Sequence, residues 1–195
     1  MDKINIPSHI QGLIFDCDGT LVDSMPLHME AWKAAFGQYG SYYNEDFLFS
    51  LKGMKESEII DLYNKKFNTQ LEPQLMVSAK HKYFIEHIDS VKPLELIVEV
   101  AKYNYGKLKL AVVSGSVSKI VSLELQTIGI INLFNIILTA DDPYKPKPSP
   151  DIFIAAASIL NIEPKFCLVL EDGEAGLEAA QKAGMETIDV RNYFD

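Results

Sequence analysis

Two aspartates stand two residues apart at the end of an apolar run, in Gly12-Leu-Ile-Phe-Asp16-Cys17-Asp18-Gly19-Thr20. In an extended chain residues i and i+2 project to the same side, so both carboxylates face one way. At ~5 Å such a pair repels by about 3 kcal/mol at an effective dielectric of 20, which calls for a cation between the two or a shared proton. Read singly, the tripeptide is also an ordinary solvated turn. A calcium loop of the EF-hand type opens on the same pattern but needs Gly at its sixth position and Glu at its twelfth, where this chain has Leu21 and Leu27. Cys17 has no arginine within the next ten residues to cradle a phosphate, and reads as a small buried residue on the opposite side of the strand.

Three more segments carry groups of the same kind. Glu171-Asp172-Gly173 follows the apolar run 167–170, the same topological place as Asp16. Carboxylates from two strand ends can converge on one hard cation, and oxygen-only ligation suits Mg²⁺; an acidic turn before a helix has the same text. Ser114-Gly115-Ser116 follows the run 109–113. A hydroxyl and backbone N–H groups at a strand-to-helix junction make a phosphate site, although the GxxxxGK[ST] of a P-loop is absent and a plain helix N-cap reads alike. Lys145-Pro-Lys147-Pro-Ser-Pro-Asp151 fixes the backbone beside a lysine. A lysine held that way can pair with a phosphate and a carboxylate at once, whereas most loop lysines are simply solvated.

The elements that must position these groups are short β-branched and Leu runs alternating with helical patterns. Strands are expected at 12–16, 109–114, 136–139, 167–170 and 186–190. Continuous apolar runs of this length suit a parallel sheet covered on both faces, and ligands of such sheets bind beyond the carboxyl ends of the strands. Helices are expected at 94–105, 119–128, 150–160 and 175–183, the third with Ser149 as N-cap and Pro150 at its first position. The stretch 25–90 breaks the rhythm with three helical patterns, 26–39, 56–67 and 73–88, punctuated by 40–44 and Gly53. The fold class is therefore α/β, a doubly wound parallel-sheet core with an all-helical insertion after the first strand.

Composition bounds the function. The chain has 195 residues, 48% of them hydrophobic, and a formal charge of −9 from 18 basic and 27 acidic side chains. That balance argues against nucleic acid and anionic membrane partners, which need a basic footprint. A small anionic substrate is compatible, since a metal ion and one lysine reverse the sign inside a cleft. Two cysteines 150 residues apart, Cys17 and Cys167, form no zinc spacing or disulfide framework. With no apolar signal core in MDKINIPSHIQ, a cytoplasmic protein is expected.

In order along the chain, DxDGT, then Ser, then Lys-Pro-x-Pro, then Glu-Asp, the four segments resemble the haloacid dehalogenase superfamily of phosphohydrolases. Within it, LVDSMPLHMEAW (21–32), KPSPDIFIAAA (147–157) and EDGEAGLEAAQKAGM (171–185) look like the branch with a helical cap, which contains β-phosphoglucomutases and sugar-phosphate phosphatases. AGMETIDVR (183–191) is most similar to fructose-1-phosphate phosphatase-like members. The resemblance implies a Rossmann-like catalytic core of residues 1–24 and 90–195 and a cap of residues 25–89, hinged near 23–25 and 89–93.

By the same resemblance Asp16 is the nucleophile and Asp18 the general acid and base. Mg²⁺ sits on Asp16, the Asp18 backbone carbonyl and Asp172, with Glu171 beside them. Ser114, Gly115 and Lys147 bind the phosphoryl group, Lys147 being preferred to Lys145 because KPSPDIF matches the family register. His28 and Lys82 are the cap residues that would meet the substrate. The resembling mutases carry a cap arginine for a second phosphate near Glu56, where a carboxylate repels it; Lys55 could replace it if the register shifts by one. A small sugar-phosphate phosphatase, monomeric, is thus expected ahead of a mutase. Asp18 argues against C–halogen cleavage, because dehalogenase members lack the second aspartate. A receiver-like or binding module remains the non-enzymatic alternative.

Overall fold

The computed structural model describes residues 4–52 and 54–194. Strand β1 (Gly12–Phe15) is followed by a two-residue strand β2 (Val22–Asp23) and four helices: α1 (Met25–Gln38), α2 (Glu45–Ser50), α3 (Glu56–Phe67) and α4 (Pro73–Glu86). The chain returns through β3 (Lys92–Pro93) to α5 (Glu95–Asn104), β4 (Lys109–Val113), α6 (Ser118–Thr127), β5 (Ile136–Leu138), α7 (Asp151–Leu160), β6 (Cys167–Glu171), α8 (Glu174–Lys182) and β7 (Glu186–Asp189). All five strands expected from the apolar runs are present, in one parallel sheet of order β5-β4-β1-β6-β7.

Alternation across the strands explains the two-sided core. Leu13, Phe15, Leu110, Val112, Leu168 and Leu170 face α5 and α6, while Ile14, Ala111, Val113, Cys167 and Val169 face α7 and α8. Because β1 is central, with β4 on one side and β6 on the other, the chain leaving β1, β4 and β6 emerges at one edge of the sheet. That brings Asp16, Ser114 and Glu171 together although they are far apart in sequence.

The helices of the insertion have an apolar cluster of their own, built on Trp32, Phe36, Ile60, Tyr63 and Met76, while Leu27, Ala31 and Phe84 reach the sheet-side core. Helix α2 went unread because six residues are too few to show a period; Asn44 caps it, accepting from the Phe47 N–H at 2.9 Å. The antiparallel pair β2–β3 ties the two chain crossings together, and two-residue strands carry no alternation. The start of α7 corrects the expected cap. The backbone is already helical at Pro150 (φ −73°, ψ −9°), and the Ser149 hydroxyl donates to the Asp151 carboxylate at 2.8 Å instead of capping an N–H. Gly53 lies outside the described residues, among which no helix is long and apolar enough to cross a membrane.

Candidate active site

The three carboxylates at the strand tips are Asp16, just past β1, and Glu171 and Asp172, at the end of β6. All are buried, and each presents an oxygen within 4.8 Å of the others. Lys147 reaches into this cluster and spends its three donors on Asp16 Oδ1 (2.6 Å), Glu171 Oε2 (2.7 Å) and the Val113 carbonyl (3.1 Å). Lys145, by contrast, is 79% exposed at its side chain. Glu171 Oε1 accepts from the backbone N–H groups of Asp172 (3.1 Å) and Gly173 (2.9 Å). Asp172 accepts from Thr20 Oγ1 at 3.3 Å and from Lys52 Nζ at 2.7 Å.

Two glycines make this approach feasible. Gly19 adopts φ +82°, and a Cβ there would lie 2.6 Å from Asp172 Oδ2; one at Gly176 would lie 1.9 Å from Glu171 Oε2. Burial and then the Glu171 carboxylate push the Asp16 carboxyl well above its ordinary range, against the pull of Lys147. Burial works against the charge on Lys147, but Asp16 and Glu171 outweigh it and hold the ammonium above its ordinary value. Three carboxylates thus face two ammonium groups. The all-oxygen donor set of Asp16, Glu171 and Asp172 fits a hard divalent cation such as Mg²⁺.

Asp18 sits beside this cluster in the same cavity. Its Oδ1 accepts from Ser24 Oγ and His28 Nε2, both at 2.7 Å, and its Oδ2 from Ser116 Oγ at 2.8 Å and Ser114 Oγ at 3.4 Å. Burial alone would raise the Asp18 carboxyl; His28, Glu124 and Ser24 overrule it and hold it well below the usual carboxylate range. Lys80 Nζ donates to His28 Nδ1 at 2.8 Å, so His28 is the tautomer that donates from Nε2 to Asp18. Burial and the Lys80 charge lower its basicity, against the pull of Asp18.

The expected phosphate loop needs one adjustment. The Ser114 hydroxyl turns toward Asp18 and accepts from the Ser116 N–H at 3.0 Å, and the cavity wall there is made by Gly115 and Ser116. Glu124, on α6, lies outside the four segments that carry the motifs. It is fully buried behind Asp18, with Cys17 Sγ on one oxygen at 3.5 Å and no partner on the other. Burial and the Asp18 charge push its carboxyl well above its ordinary range. Its mark in the sequence is a charge inside the buried stripe Ile120-Val121-Glu124-Leu125.

The helical wall corrects the cap lysine. Lys82 is exposed and takes no part in the cavity; Lys80 is buried there. The buried stripe of α4 is Met76, Lys80 and Phe84, spaced by four, and two further residues rotate a side chain by about 200° to the opposite face. Lys80 also bonds to Glu56, which in turn takes His81. Glu56 lines the cavity, whereas Lys55 is exposed and does not. Lys52, from the turn after α2, crosses from the helices to Asp172, a contact the sequence had not suggested.

Strand-tip carboxylates clasped around a buried lysine thus face a helical wall across a shared cavity. The chain belongs to the haloacid dehalogenase-like hydrolase family, whose model matches residues 13–190, and it is accordingly a phosphoric monoester hydrolase. It is similar to the fructose-1-phosphate phosphatase YqaB of Escherichia coli, 35% identical over 181 residues that cover 92% of this chain and 96% of that one. It is also similar to the β-phosphoglucomutase of Bacillus subtilis, 30% identical over 193 residues, 93% of this chain and 84% of that one. Among solved structures, a β-phosphoglucomutase from Clostridium difficile superimposes with a TM-score of 0.76 at 30% identity, over 94% of this chain and 87% of that one. The non-enzymatic alternative falls with the family.

Proposed function

We propose that this hydrolase is a Mg²⁺-dependent phosphatase of a small phosphorylated sugar, fructose-1-phosphate or a close relative, acting through an aspartyl-phosphate on Asp16. What supports the reading is Asp16 held by Lys147 at the strand tips, with Asp18 in the same cavity. The substrate class follows the likeness to a fructose-1-phosphate phosphatase.

In this reading an Asp16 oxygen attacks phosphorus while the bond from phosphorus to the sugar oxygen breaks, and Asp18 delivers a proton to that leaving oxygen. Asp18 then takes a proton from water as the water oxygen attacks the aspartyl-phosphate, releasing inorganic phosphate and restoring Asp16. With four donors on its oxygens Asp18 rests ionised, poised for the second half. A monoester arriving as the monoanion brings the proton needed for the first. Lys147 and the Gly115–Ser116 turn hold the phosphoryl oxygens, with Ser114 steadying Asp18. Asp16, Asp172 and the Asp18 carbonyl would hold Mg²⁺, with Glu171 beside them, and the ion would offset charge on the phosphoryl oxygens. Residues 25–89 act as a lid over the core of 1–24 and 90–195, hinging beside the β2–β3 pair and excluding bulk water.

The test is release of phosphate from p-nitrophenyl phosphate and from a panel of sugar phosphates, with and without Mg²⁺. Activity should vanish with a chelator, return with Mg²⁺ and be strongest on a sugar-1-phosphate of the ketose type. Failure to turn over any monoester with Mg²⁺ present would end the reading. A mutase is the second reading, favoured by the likeness to β-phosphoglucomutase. Glucose-6-phosphate formed from β-glucose-1-phosphate and its bisphosphate would select it, and free phosphate the phosphatase.

A further inference from the structure

We propose that Glu124 is a positioning residue for the proton transfer at Asp18: its free oxygen takes over the His28 Nε2–H when Asp18 turns from His28 to the reacting oxygen. This rests on the phosphatase reading and accounts for how Asp18 is released to act in it.

Asp18 is saturated with donors. Its oxygens accept from Ser24, His28, Ser116 and Ser114, and a carboxylate offers roughly four lone-pair directions. To give a proton to a leaving oxygen, or to take one from water, it must let a partner go. The serine hydroxyls can rotate to suit other acceptors. The His28 N–H cannot, because its ring is held by Lys80 on Nδ1 at 2.8 Å and stacked on Phe84 with ring centroids 4.4 Å apart. A buried N–H left with no acceptor carries its full desolvation penalty, and that penalty would fall on the step in which Asp18 acts.

Glu124 stands where it can remove that penalty. Its side chain is fully buried, and its Oε1 has no hydrogen-bond partner. That oxygen lies 3.9 Å from His28 Nε2, about 1 Å beyond a hydrogen bond, while the other accepts from Cys17 Sγ at 3.5 Å. Asp18, His28 and Glu124 each present an oxygen or nitrogen within 4.8 Å of the others. The His28 hydrogen therefore has one acceptor in use and a second beside it. A carboxyl with an unsatisfied oxygen among Ile120, Val121 and Leu125 is a liability for the fold, since an apolar residue of similar size is often neutral or stabilising in such a place. A local rule broken beside a reacting group points to a functional constraint.

The experiment follows the His28 ring hydrogen by NMR of protein carrying ¹⁵N-labelled histidine. Asp18→Ala removes the first acceptor. The His28 Nε2–H should then still exchange slowly with solvent, held by Glu124, and should exchange at least ~10-fold faster when Glu124→Leu is added. Adding Glu124→Gln instead, which keeps an accepting oxygen, should leave exchange slow. With Asp18 intact, Glu124→Leu should be at least as stable to urea as the parent. It should nevertheless lose ~10-fold or more in kcat on a sugar phosphate with KM held within about twofold, and Glu124→Gln should keep most of kcat. Glu124→Met, closer in shape, serves if the leucine variant does not fold. Equal exchange in the leucine and glutamine variants, or destabilisation by both leucine and methionine, overturns the inference and makes Glu124 a structural residue. The exchange is read without turnover, so a parent enzyme that hydrolyses nothing counts against the phosphatase reading separately from this one.

Discussion

The cavity has two unlike walls. The strand-tip wall is built from Asp16, Lys147, Glu171 and Asp172, set by the register of three neighbouring parallel strands and tied to one another and to backbone amides. The helical wall is built from His28, Lys52, Glu56 and Lys80, carried by helices that pack mainly on a separate apolar cluster. In the proposed reaction the first wall supplies the same chemistry to any phosphate ester that arrives. In the same proposal the second meets whatever is attached to the phosphate. Changes in the first should therefore alter the rate for every substrate, and changes in the second should alter the ranking among substrates.

The sharpest way to break this division is at Asp16. Asp16→Asn keeps the shape of the side chain and removes the proposed nucleophile, so turnover of every monoester should fall by at least about 10⁴-fold. Comparable losses on p-nitrophenyl phosphate and on sugar phosphates would place Asp16 on the reaction side of the division; substantial activity in a clean preparation would remove it. Lys147→Met tests the same wall through stability. It leaves Asp16 and Glu171 buried without their ammonium, and breaking such a pair costs about 3–5 kcal/mol. Urea unfolding measures this, and a variant as stable as the parent would mean the cluster relaxes by taking up protons.

Asp18 comes next and touches both walls, since Ser116 holds it from the sheet side and His28 from the helices. Asp18→Asn should slow hydrolysis of a sugar phosphate by about 10²–10⁴-fold. The nitrophenolate leaving group needs far less help from a proton. Formation of the aspartyl-phosphate from p-nitrophenyl phosphate, read as a burst in rapid mixing, should therefore survive better than formation from a sugar phosphate. Identical slowing of both bursts would deny Asp18 the role of acid.

The two walls also differ in how far the sequence revealed them. A strand tip is marked by where an apolar run stops, and at that point few side chains can face the site; hence Asp16, Asp18, Glu171 and Asp172 were readable. The choice of Lys147 over Lys145 came from the family register, and burial agrees with it. A helix offers a face rather than an end, so its rotation must be known. Lys82 was chosen where Lys80 stands, although the stripe Met76-Lys80-Phe84 was present in the text. Lys52 was beyond reach because the turn holding it follows an unread six-residue helix. The comparison sharpens on that pair. Lys80→Met, which strips His28 and Glu56 of their partner, should cost about 10–100-fold in kcat/KM on sugar phosphates, whereas Lys82→Met should stay within about 0.5 kcal/mol in stability and leave kinetics alone. A reversed order would return the cap site to Lys82.

The smallest expected effect isolates the helical wall by pH. The Glu56 carboxyl is drawn from an ordinary 4.5 to about 2 by Lys80 and His81, against its burial. A group depressed in the folded state contributes stability that is fully present above its unfolded value and is lost as pH falls through the folded one. Glu56 should thus add up to about 3 kcal/mol at pH 6, by the free energy of such a displacement, and progressively less from about pH 4.5 down to about pH 2. Unfolding in urea of the parent and of Glu56→Gln at pH 6 and pH 3 measures the difference directly. The gap between the two proteins should be wide at pH 6 and narrower at pH 3. A gap that stays constant would mean that Lys80 and His81 do not hold Glu56 charged, and the helical wall would lose its buried ion pair.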